Sequence, residues 1–290
     1  MNPFLLGKPR PIVVGHRGVP ALHQENTLAG IRRAIALGIP AVEIDVQLTK
    51  DRRAVVIHDH PLDRLTGDRR RIFDLTWDEV ARLRIRRELP MGIDVHGQRV
   101  VKRYEREEPI SLLEEVLAES GTLAFNIELK MTFSFWQTEI ARVVARVLAA
   151  ARAEDRVIVT SFDPRKLRAT FDAHPALTTG YCFSDNMLNF VPLVDRARLL
   201  SRIVETHPFG GLMRTRVLGA EHTIVGRQLV ERLHARGVSI GTHTIFPIGS
   251  TTGKAISPTG HAIAEIERLV ASGVDWIETD DPERLQQLLG

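Results

Sequence analysis

The chain has 290 residues, of which 43% are hydrophobic and 26% are charged, and its formal net charge at pH 7 is +3. This composition excludes a disordered or fibrous chain, and the length suits one α/β barrel or two smaller domains. A weakly basic chain suits an anionic substrate, but acids are interspersed among the arginines, which argues against nucleic-acid binding.

Short β-branched runs alternate with helical patterns along most of the chain. The pattern predicts strands at 12–15, 41–47, 54–58, 124–129, 157–160, 178–182, 208–212, 238–242 and 274–278. It predicts helices at 26–37, 134–152, 164–173, 187–205, 226–236, 261–272 and 282–289. Strand–helix alternation is typical of a parallel sheet, and the number of repeats predicts an eight-stranded (β/α)8 barrel.

The strands predicted at 41–47 and 54–58 are too close in sequence for the crossover helix that parallel neighbours need. We therefore predict a hairpin and an insertion after the second barrel strand, at about 48–109, within one domain over residues 1–290. The insertion is densely charged and contains a small helix that begins with the capping box Thr76-Trp-Asp-Glu79. It is either a solvated excursion or a cap over one barrel mouth. We favour the cap, because the segment leaves from a strand end.

Polar residues stand at the carboxyl ends of the predicted strands, where (β/α)8 enzymes build their sites. Stability alone does not explain acids and bases at so many strand ends, so we expect the functional site at this mouth of the barrel. The residues are His16, Arg17, Glu43, Asp45, His58, Asp59, Glu128, Lys130, Ser161, His243, Thr279 and Asp280.

Three carboxylates in this set predict a metal site. Glu43 and Asp45 project from one face of a strand, about 7 Å apart, and like charges that close resist joint ionisation unless a cation lies between them. Glu128 ends the NIELK strand and adds an oxygen ligand of the kind that Mg²⁺ or Ca²⁺ prefers. No HExxH or CxxC spacing indicates zinc. The alternative is that each carboxylate pairs with a local arginine or caps a helix.

His16 and His58 are the candidates for general acid and base, because imidazole exchanges protons near neutral pH and both fall where the carboxylates converge. Arg17 and Lys130 are the candidates for binding a phosphate, or else they are structural partners of the acids. With a divalent cation and one phosphodiester, these two cations and the three carboxylates sum to zero charge. Candidates for the pocket wall are His243, Ser161 and Phe183.

Cys182 is the only cysteine, which excludes an internal disulfide and is compatible with a reducing compartment. The first residues, MNPFLLGKPRP, lack the positive region and the apolar length of a signal peptide. No apolar stretch is long enough to span a bilayer. We therefore expect a cytoplasmic protein without stable membrane insertion, and the sequence leaves the oligomeric state open.

Seven motifs occur in order along the chain: HRG at 16–18, ENT at 25–27, ExD at 43–45, HD at 58–59, NIELK at 126–130, SFDP at 161–164 and GVDWIETDDP at 273–282. The ordered set resembles the glycerophosphodiester phosphodiesterase family. The resemblance implies a TIM barrel with an insertion after the second strand. It also implies hydrolysis of small-molecule glycerophosphodiesters to sn-glycerol 3-phosphate and an alcohol, in which the glycerol 2-hydroxyl attacks and water opens a cyclic phosphate. The resemblance also implies a role for each candidate residue. Glu43, Asp45 and Glu128 would bind a divalent cation, Mg²⁺ or Ca²⁺. His16 and His58 would act as acid and base, and Arg17 and Lys130 would bind the phosphate.

The chain departs from the usual family pattern at positions that bear on its substrate. Gln24 replaces the proline usual before ENT, and Gly241-Thr-His-Thr244 stands where Trp-Thr is common. Trp276 and Glu278 replace small or aliphatic residues. One alternative is a lysophospholipase D or another lipid-headgroup phosphodiesterase, which needs an apolar groove. Another is a barrel that binds phosphodiesters without hydrolysing them, although no catalytic residue is missing. Candidates to line an apolar groove are Phe133, Phe135, Trp136, Phe183, Phe190 and Phe246.

Overall fold

The computed structural model describes residues 2–6, 11–130, 138–184, 215–250 and 256–290. Its strands are β1 (Ile12–Gly15), β2 (Ala41–Leu48), β3 (Ala54–Val56), β4 (Arg84–Ile85), β5 (Glu88–Ile93), β6 (Arg99–Arg103), β7 (Glu108–Pro109), β8 (Ser111–Leu112), β9 (Ala124–Leu129), β10 (Val157–Ser161), β11 (Thr178–Phe183), β12 (Val217–Glu221), β13 (Ser239–Ile245) and β14 (Trp276–Thr279). Its helices are α1 (Leu28–Ala36), α2 (Trp77–Val80), α3 (Leu113–Glu119), α4 (Glu139–Ala151), α5 (Pro164–Ala173), α6 (Arg227–His234), α7 (Ile263–Ser272) and α8 (Pro282–Leu289). None of the described helices is long and apolar enough to cross a membrane.

Eight of these strands run parallel and form a closed barrel. Their order is β1, β2, β9, β10, β11, β12, β13 and β14, and β1 pairs with both β14 and β2, which closes the ring. The helices cover the outside with apolar stripes, as in α4, where Ile140, Val144 and Leu148 are buried in the cluster that includes the outward side chains of β2 and β9. The predicted (β/α)8 barrel is confirmed.

Strand β2 shows how the sequence divides between the two sides of the barrel wall. Val42, Ile44 and Val46 belong to the hydrophobic cluster formed with the surrounding helices. Glu43 and Asp45 alternate with them, so they point into the barrel, and they are buried as well. The alternation that the sequence shows therefore places two carboxylates in the interior.

Apolar side chains close the barrel at the amino ends of its strands. Phe4 and Trp276 are buried there, with ring centroids 5.6 Å apart and ring planes at right angles. The side chain of Asn2 donates to the carbonyl of Val157 at 2.6 Å, and the hydroxyl of Ser239 donates to the carbonyl of Phe4 at 2.6 Å. The N-terminal segment thus plugs this end, which leaves the opposite mouth for a site.

The chain between β2 and α3 packs around a hydrophobic cluster of its own. Strand β3 pairs antiparallel with β2 and then with β8, which confirms the predicted hairpin. Two small antiparallel sheets follow, β4 with β7 and β5 with β6. Helix α2 begins with the predicted capping box, in which the Thr76 backbone N–H donates to Glu79 at 2.9 Å. Members of the cluster include Val55, Ile57, Leu62, Leu65, Ile85, Leu89 and Tyr104.

Among the described elements of the barrel and its outer helices, two differ from the sequence prediction. The barrel strand between β11 and β13 is β12, whereas the sequence pattern indicated 208–212, which lies outside the described residues together with the helix predicted at 187–205. Strand β12 reads VLGAE, and its small residues carry little of the β-branched signal. Helix α3 was not predicted either, because its short LLEEVLAE pattern gives only two turns of helical periodicity.

Gly241→Ala should destabilise the barrel, because a Cβ at this position would overlap the indole ring of Trp276. The indole is buried against Phe4, so it cannot move aside without losing contacts in the floor. We expect urea-induced unfolding to show a loss of about 1–3 kcal/mol, the usual cost of overpacking a core.

Gly219→Ala is the matched control. Gly219 is the register partner of Gly241 across β12 and β13, and a Cβ there would make only an ordinary contact with the sulfur of Cys182. Equal free energies of unfolding for the two alanine variants would contradict this account of the packing around Trp276 at the amino end of the barrel.

Candidate active site

A cavity of about 350 Å³ lies at the carboxyl ends of the barrel strands. Asp45 lies in the wall beside it, where one of its oxygens is 2.9 Å from the ammonium group of Lys130. The structure thus brings the acids, bases and cations singled out from the sequence into one place. Described residues that line the cavity include His16, Arg17, Glu43, His58, Glu128, Lys130, His243 and Glu278.

The carboxylates of Glu43, Asp45 and Glu128 each offer an oxygen within 4.8 Å of the others. Lys130 Nζ lies 2.9 Å from an oxygen of Asp45 and 2.9 Å from an oxygen of Glu128. Glu43 is less well compensated, because its Oε1 is buried without a hydrogen-bond partner. Burial and the neighbouring carboxylates of Asp45 and Glu278 raise the pKa of Glu43 well above its usual value. An oxygen without a donor, in a cluster rich in negative charge, suits a divalent cation.

Asp45 remains ionised because several groups favour its charged form. Burial alone would raise its pKa, but the ammonium group of Lys130 above all holds the pKa of Asp45 well below its usual value. Asn26 Nδ2 donates to Asp45 Oδ2 at 2.8 Å, and the Asp45 backbone N–H donates to Asn26 Oδ1 at 3.0 Å. Asn26 adopts a φ of 59°, a left-handed conformation that asparagine tolerates. Two hydrogen bonds between Asn26 and Asp45 therefore connect the loop before α1 to the carboxylate cluster.

Arg17 joins the same carboxylates to the loop that follows β1. Its backbone N–H donates to Glu43 Oε2 at 2.9 Å, and its guanidinium Nε lies 3.4 Å from Asp45 Oδ2. Its Nη1 donates to Glu25 at 3.0 Å. Arg17 has a φ of 53°, and such left-handed conformations of residues other than glycine are concentrated at functional sites. Backbone and side chain are thereby both directed at the cluster.

Each candidate histidine has a carboxylate on its Nδ1. His16 Nδ1 lies 2.7 Å from Asp280, and His58 Nδ1 lies 2.7 Å from Asp59. A carboxylate in this position fixes the ring and favours the tautomer with its proton on Nδ1, so Nε2 is the atom that exchanges a proton. Burial and two nearby cations lower the pKa of His58, which favours its neutral form.

The floor of the cavity is polar. Asn126 Nδ2 donates to Glu278 Oε1 at 2.6 Å, and the Thr160 hydroxyl donates to Asn126 Oδ1 at 2.7 Å. Burial raises the pKa of Glu278 to about 7, although the nearby His16 opposes the shift. Burial lowers the pKa of His243 to about 4. At pH 7 His243 therefore offers the cavity a neutral ring that can form hydrogen bonds.

Ser161 and Phe183 lie in the barrel wall rather than at the cavity. Ser161 is fully buried, and its hydroxyl donates to the carbonyl of Leu129 at 2.8 Å. Phe183 belongs to a hydrophobic cluster formed with the outer helices. Their neighbours Thr160 and Cys182 hold the inward positions and line the cavity instead.

Sequence reasoning missed several lining residues. Glu221 and His222 stand at the end of β12, and they were missed because that strand was not predicted. Phe162 directly follows Ser161 at the end of β10 and lines the cavity. Its signal was present in the SFDP motif, where the second residue, not the first, faces the site.

The family model described as "Glycerophosphoryl diester phosphodiesterase family" matches residues 16–284. A glycerophosphodiester phosphodiesterase of Caldanaerobacter subterraneus subsp. tengcongensis is 28% identical over 280 residues, covering 97% of this chain and 98% of that protein. A human lysophospholipase D is 23% identical over 240 residues, covering 78% of this chain and 74% of that protein.

Solved structures share the fold. A phosphodiesterase of Oleispira antarctica, in complex with the product sn-glycerol-3-phosphate, matches with a TM-score of 0.70 at 22% identity and covers 97% of each chain. A glycerophosphodiester phosphodiesterase of Thermotoga maritima matches with a TM-score of 0.65 at 25% identity, covering 97% of this chain and 100% of that one.

The family match begins at His16 and ends beyond Asp280, so it includes every described residue that lines the cavity. Because this match spans nearly the whole chain, the chain belongs to the glycerophosphoryl diester phosphodiesterase family and is a phosphoric diester hydrolase.

Proposed function

We propose that this chain hydrolyses glycerophosphodiesters to sn-glycerol 3-phosphate and an alcohol, with one divalent cation, Mg²⁺ or Ca²⁺, as its cofactor. The observation that carries the proposal is the cluster of Glu43, Asp45 and Glu128, in which a buried oxygen of Glu43 has no donor. Two histidines, each oriented by a carboxylate, stand at the same cavity. The cavity therefore combines a candidate cation site with two groups that can transfer protons.

Glu43, Asp45 and Glu128 would hold the cation. When bound, it supplies positive charge to the phosphate oxygens and to the charge that grows in the transition state. Arg17 and Lys130 add fixed positive charge at the cavity wall. Both already pair with Asp45, yet a guanidinium has five N–H donors and an ammonium group has three, so each retains donors for a phosphate.

His16 and His58 would move the protons. One imidazole takes the proton of the attacking hydroxyl, and the other gives a proton to the departing alkoxide. By resemblance to the family, the attacking hydroxyl is the glycerol 2-hydroxyl of the substrate, so the first step releases the alcohol and leaves a cyclic phosphate. Water then opens the ring, and the two histidines exchange roles.

The segment at about 48–109 serves this site as an insertion in a single domain. His58 lies just after β3, the first strand of this segment, and lines the cavity. The Tyr104 hydroxyl donates to the carbonyl of Pro20 at 2.8 Å, which ties the segment to the loop after β1. These contacts support a wall beside the mouth rather than a solvated excursion.

A lysophospholipase D activity is the second candidate, because the human relative carries that name. Such a substrate needs an apolar groove. Among the described lining residues polar side chains predominate, and the apolar ones include Phe162, Pro247 and Ile256. Phe246 is covered by the guanidinium of Arg284, whose carbon lies 3.9 Å from the ring centroid. The other aromatic candidates, Phe133, Phe135, Trp136 and Phe190, lie outside the described residues.

Replacing either catalytic candidate, as His16→Ala or His58→Ala, should lower kcat by roughly 10²- to 10⁴-fold, the contribution typical of a general acid or base. The measurement is glycerol 3-phosphate release from glycerophosphocholine. His174→Ala is the control, because His174 pairs with Glu154 away from the cavity. Near wild-type turnover in both test variants would rule out the mechanism.

Chelation with EDTA should abolish the release of glycerol 3-phosphate, and added Mg²⁺ or Ca²⁺ should restore it. Glu43→Gln should weaken cation binding, measured by calorimetry without substrate, by at least the roughly 10- to 100-fold typical of a supporting residue. Glu119→Gln, at an exposed ion pair with Arg32, should leave the affinity unchanged. Activity that persists in EDTA, with no heat of binding for either cation, is the result that contradicts the proposed site.

The two candidate activities differ in their preferred substrate. We expect kcat/KM for glycerophosphocholine to exceed that for lysophosphatidylcholine by more than about tenfold, because buried polar groups left unpaired by an acyl chain penalise it. Cleavage of the phosphate–choline bond releases choline from both substrates, together with glycerol 3-phosphate from glycerophosphocholine and lysophosphatidic acid from the lysolipid. The assay should therefore quantify choline for both substrates. A preference for the lysolipid would favour the second candidate.

A further inference from the structure

Arg64 holds two carboxylates at once, that of buried Glu25 and that of half-buried Asp59. Its Nε and Nη2 donate to the two oxygens of Asp59 at 2.6 and 3.0 Å. Its Nη1 and Nη2 donate to the two oxygens of Glu25 at 2.8 and 2.7 Å. The Arg64 side chain is 13% exposed and that of Glu25 is 1% exposed. One guanidinium therefore makes a two-point contact with each of two carboxylates from different parts of the chain.

Both carboxylates lead directly to the site. Asp59 is the group that lies 2.7 Å from His58 Nδ1. Glu25 accepts a hydrogen bond from the guanidinium of Arg17 at 3.0 Å. Arg64 is thus one residue removed from a candidate acid or base and one residue removed from a candidate phosphate ligand.

The charges of this network are matched. Glu25 and Asp59 carry two negative charges, and Arg17 and Arg64 carry two positive ones. Burial alone would raise the pKa of Glu25, but the two guanidinium groups hold it at about 2. Replacing a buried ion pair with apolar side chains is often neutral or stabilising. The network is therefore weak as a source of fold stability, and its geometry calls for another role.

The segment that carries Arg64 is held in place by hydrogen bonds to the loop before α1. Gln24 Nε2 donates to the carbonyls of Arg106 at 2.5 Å and Arg86 at 3.3 Å. The Arg86 backbone N–H donates to the carbonyl of Leu65, the neighbour of Arg64, at 2.9 Å. The segment between β2 and α3 is thereby bonded to the loop before α1 close to the point where Arg64 meets Glu25.

We propose that Arg64 is a positioning residue for the hydrolysis: it holds Asp59 so that His58 keeps the orientation in which Nε2 exchanges protons. The inference rests on the proposed function of His58. A lysine at position 64 has a compact point charge in place of the planar fork, so it does not reproduce two bidentate contacts.

The test compares Arg64→Met and Arg64→Lys with Arg70→Met in the full chain. Arg70 comes from the same segment between β2 and α3, but it makes exposed ion pairs with Asp68 and Glu79. We expect both Arg64 variants to lower kcat for glycerophosphocholine by about 10- to 100-fold, the loss typical of a supporting residue, with KM within about threefold. Arg70→Met should retain the wild-type kcat.

A double variant separates positioning from loss of folded protein. If Arg64 acts through His58, Arg64→Met in the His58→Ala background should lower kcat by less than about threefold further, because residues that act as a unit are not additive. The inference would be overturned if the losses of kcat in the two single variants multiplied in the double variant. It would also be overturned if both Arg64 variants kept a kcat within threefold of wild type. Where Arg64→Met does not fold in a thermal melt, Arg64→Lys alone and in the His58→Ala background decides by the same limits. Full activity of His58→Ala would instead refute the proposed function on which the inference rests.

Discussion

Two carboxylates side by side on the inner face of β2 impose the constraint around which the site is organised. Glu43 and Asp45 are 3% and 1% exposed, and an unpaired buried charge costs several kcal/mol. Asp45 is stabilised by Lys130 and Asn26. Glu43 retains a buried oxygen without a donor. Because the nearby cationic side chains already engage Asp45, the cluster of Glu43, Asp45 and Glu128 could hold a divalent cation as the missing partner.

The same constraint extends outward, since each buried charge requires a partner of opposite sign. The carboxylates of β2 are surrounded by the cationic side chains of Arg17 and Lys130. Arg17 in turn is met by Glu25, and Glu25 by Arg64, whose guanidinium also pairs with Asp59. The site therefore extends beyond the side chains that line the cavity. Removing an outer charged side chain leaves the inner side chain that it paired with uncompensated.

How far the sequence predicted this structure depended on distance along the chain. The strand period of two placed Glu43 and Asp45 on the inner face, and the rule that sites lie at strand ends located His16 and Glu128. The same period, applied to β10 and β11, would have turned Ser161 and Phe183 outward. The contacts of Arg64 were not predictable, because Glu25 lies 39 residues away from it and no periodicity links the two.

The amino end of the barrel interior shows how Trp276 and Glu278 are accommodated on one strand. Trp276 and Glu278 are two residues apart on β14, so both point inward, one layer above the other. Trp276 packs against Phe4 in the space that Gly241 leaves open. The large ring thus fills the end of the barrel below the site, and the layer above it is formed by Glu278 with Asn126. Because carboxyl and amide groups bury at a cost unless they are hydrogen-bonded, the contact between Glu278 and Asn126 is what keeps this layer polar and complementary to hydrogen-bonding groups rather than to apolar ones.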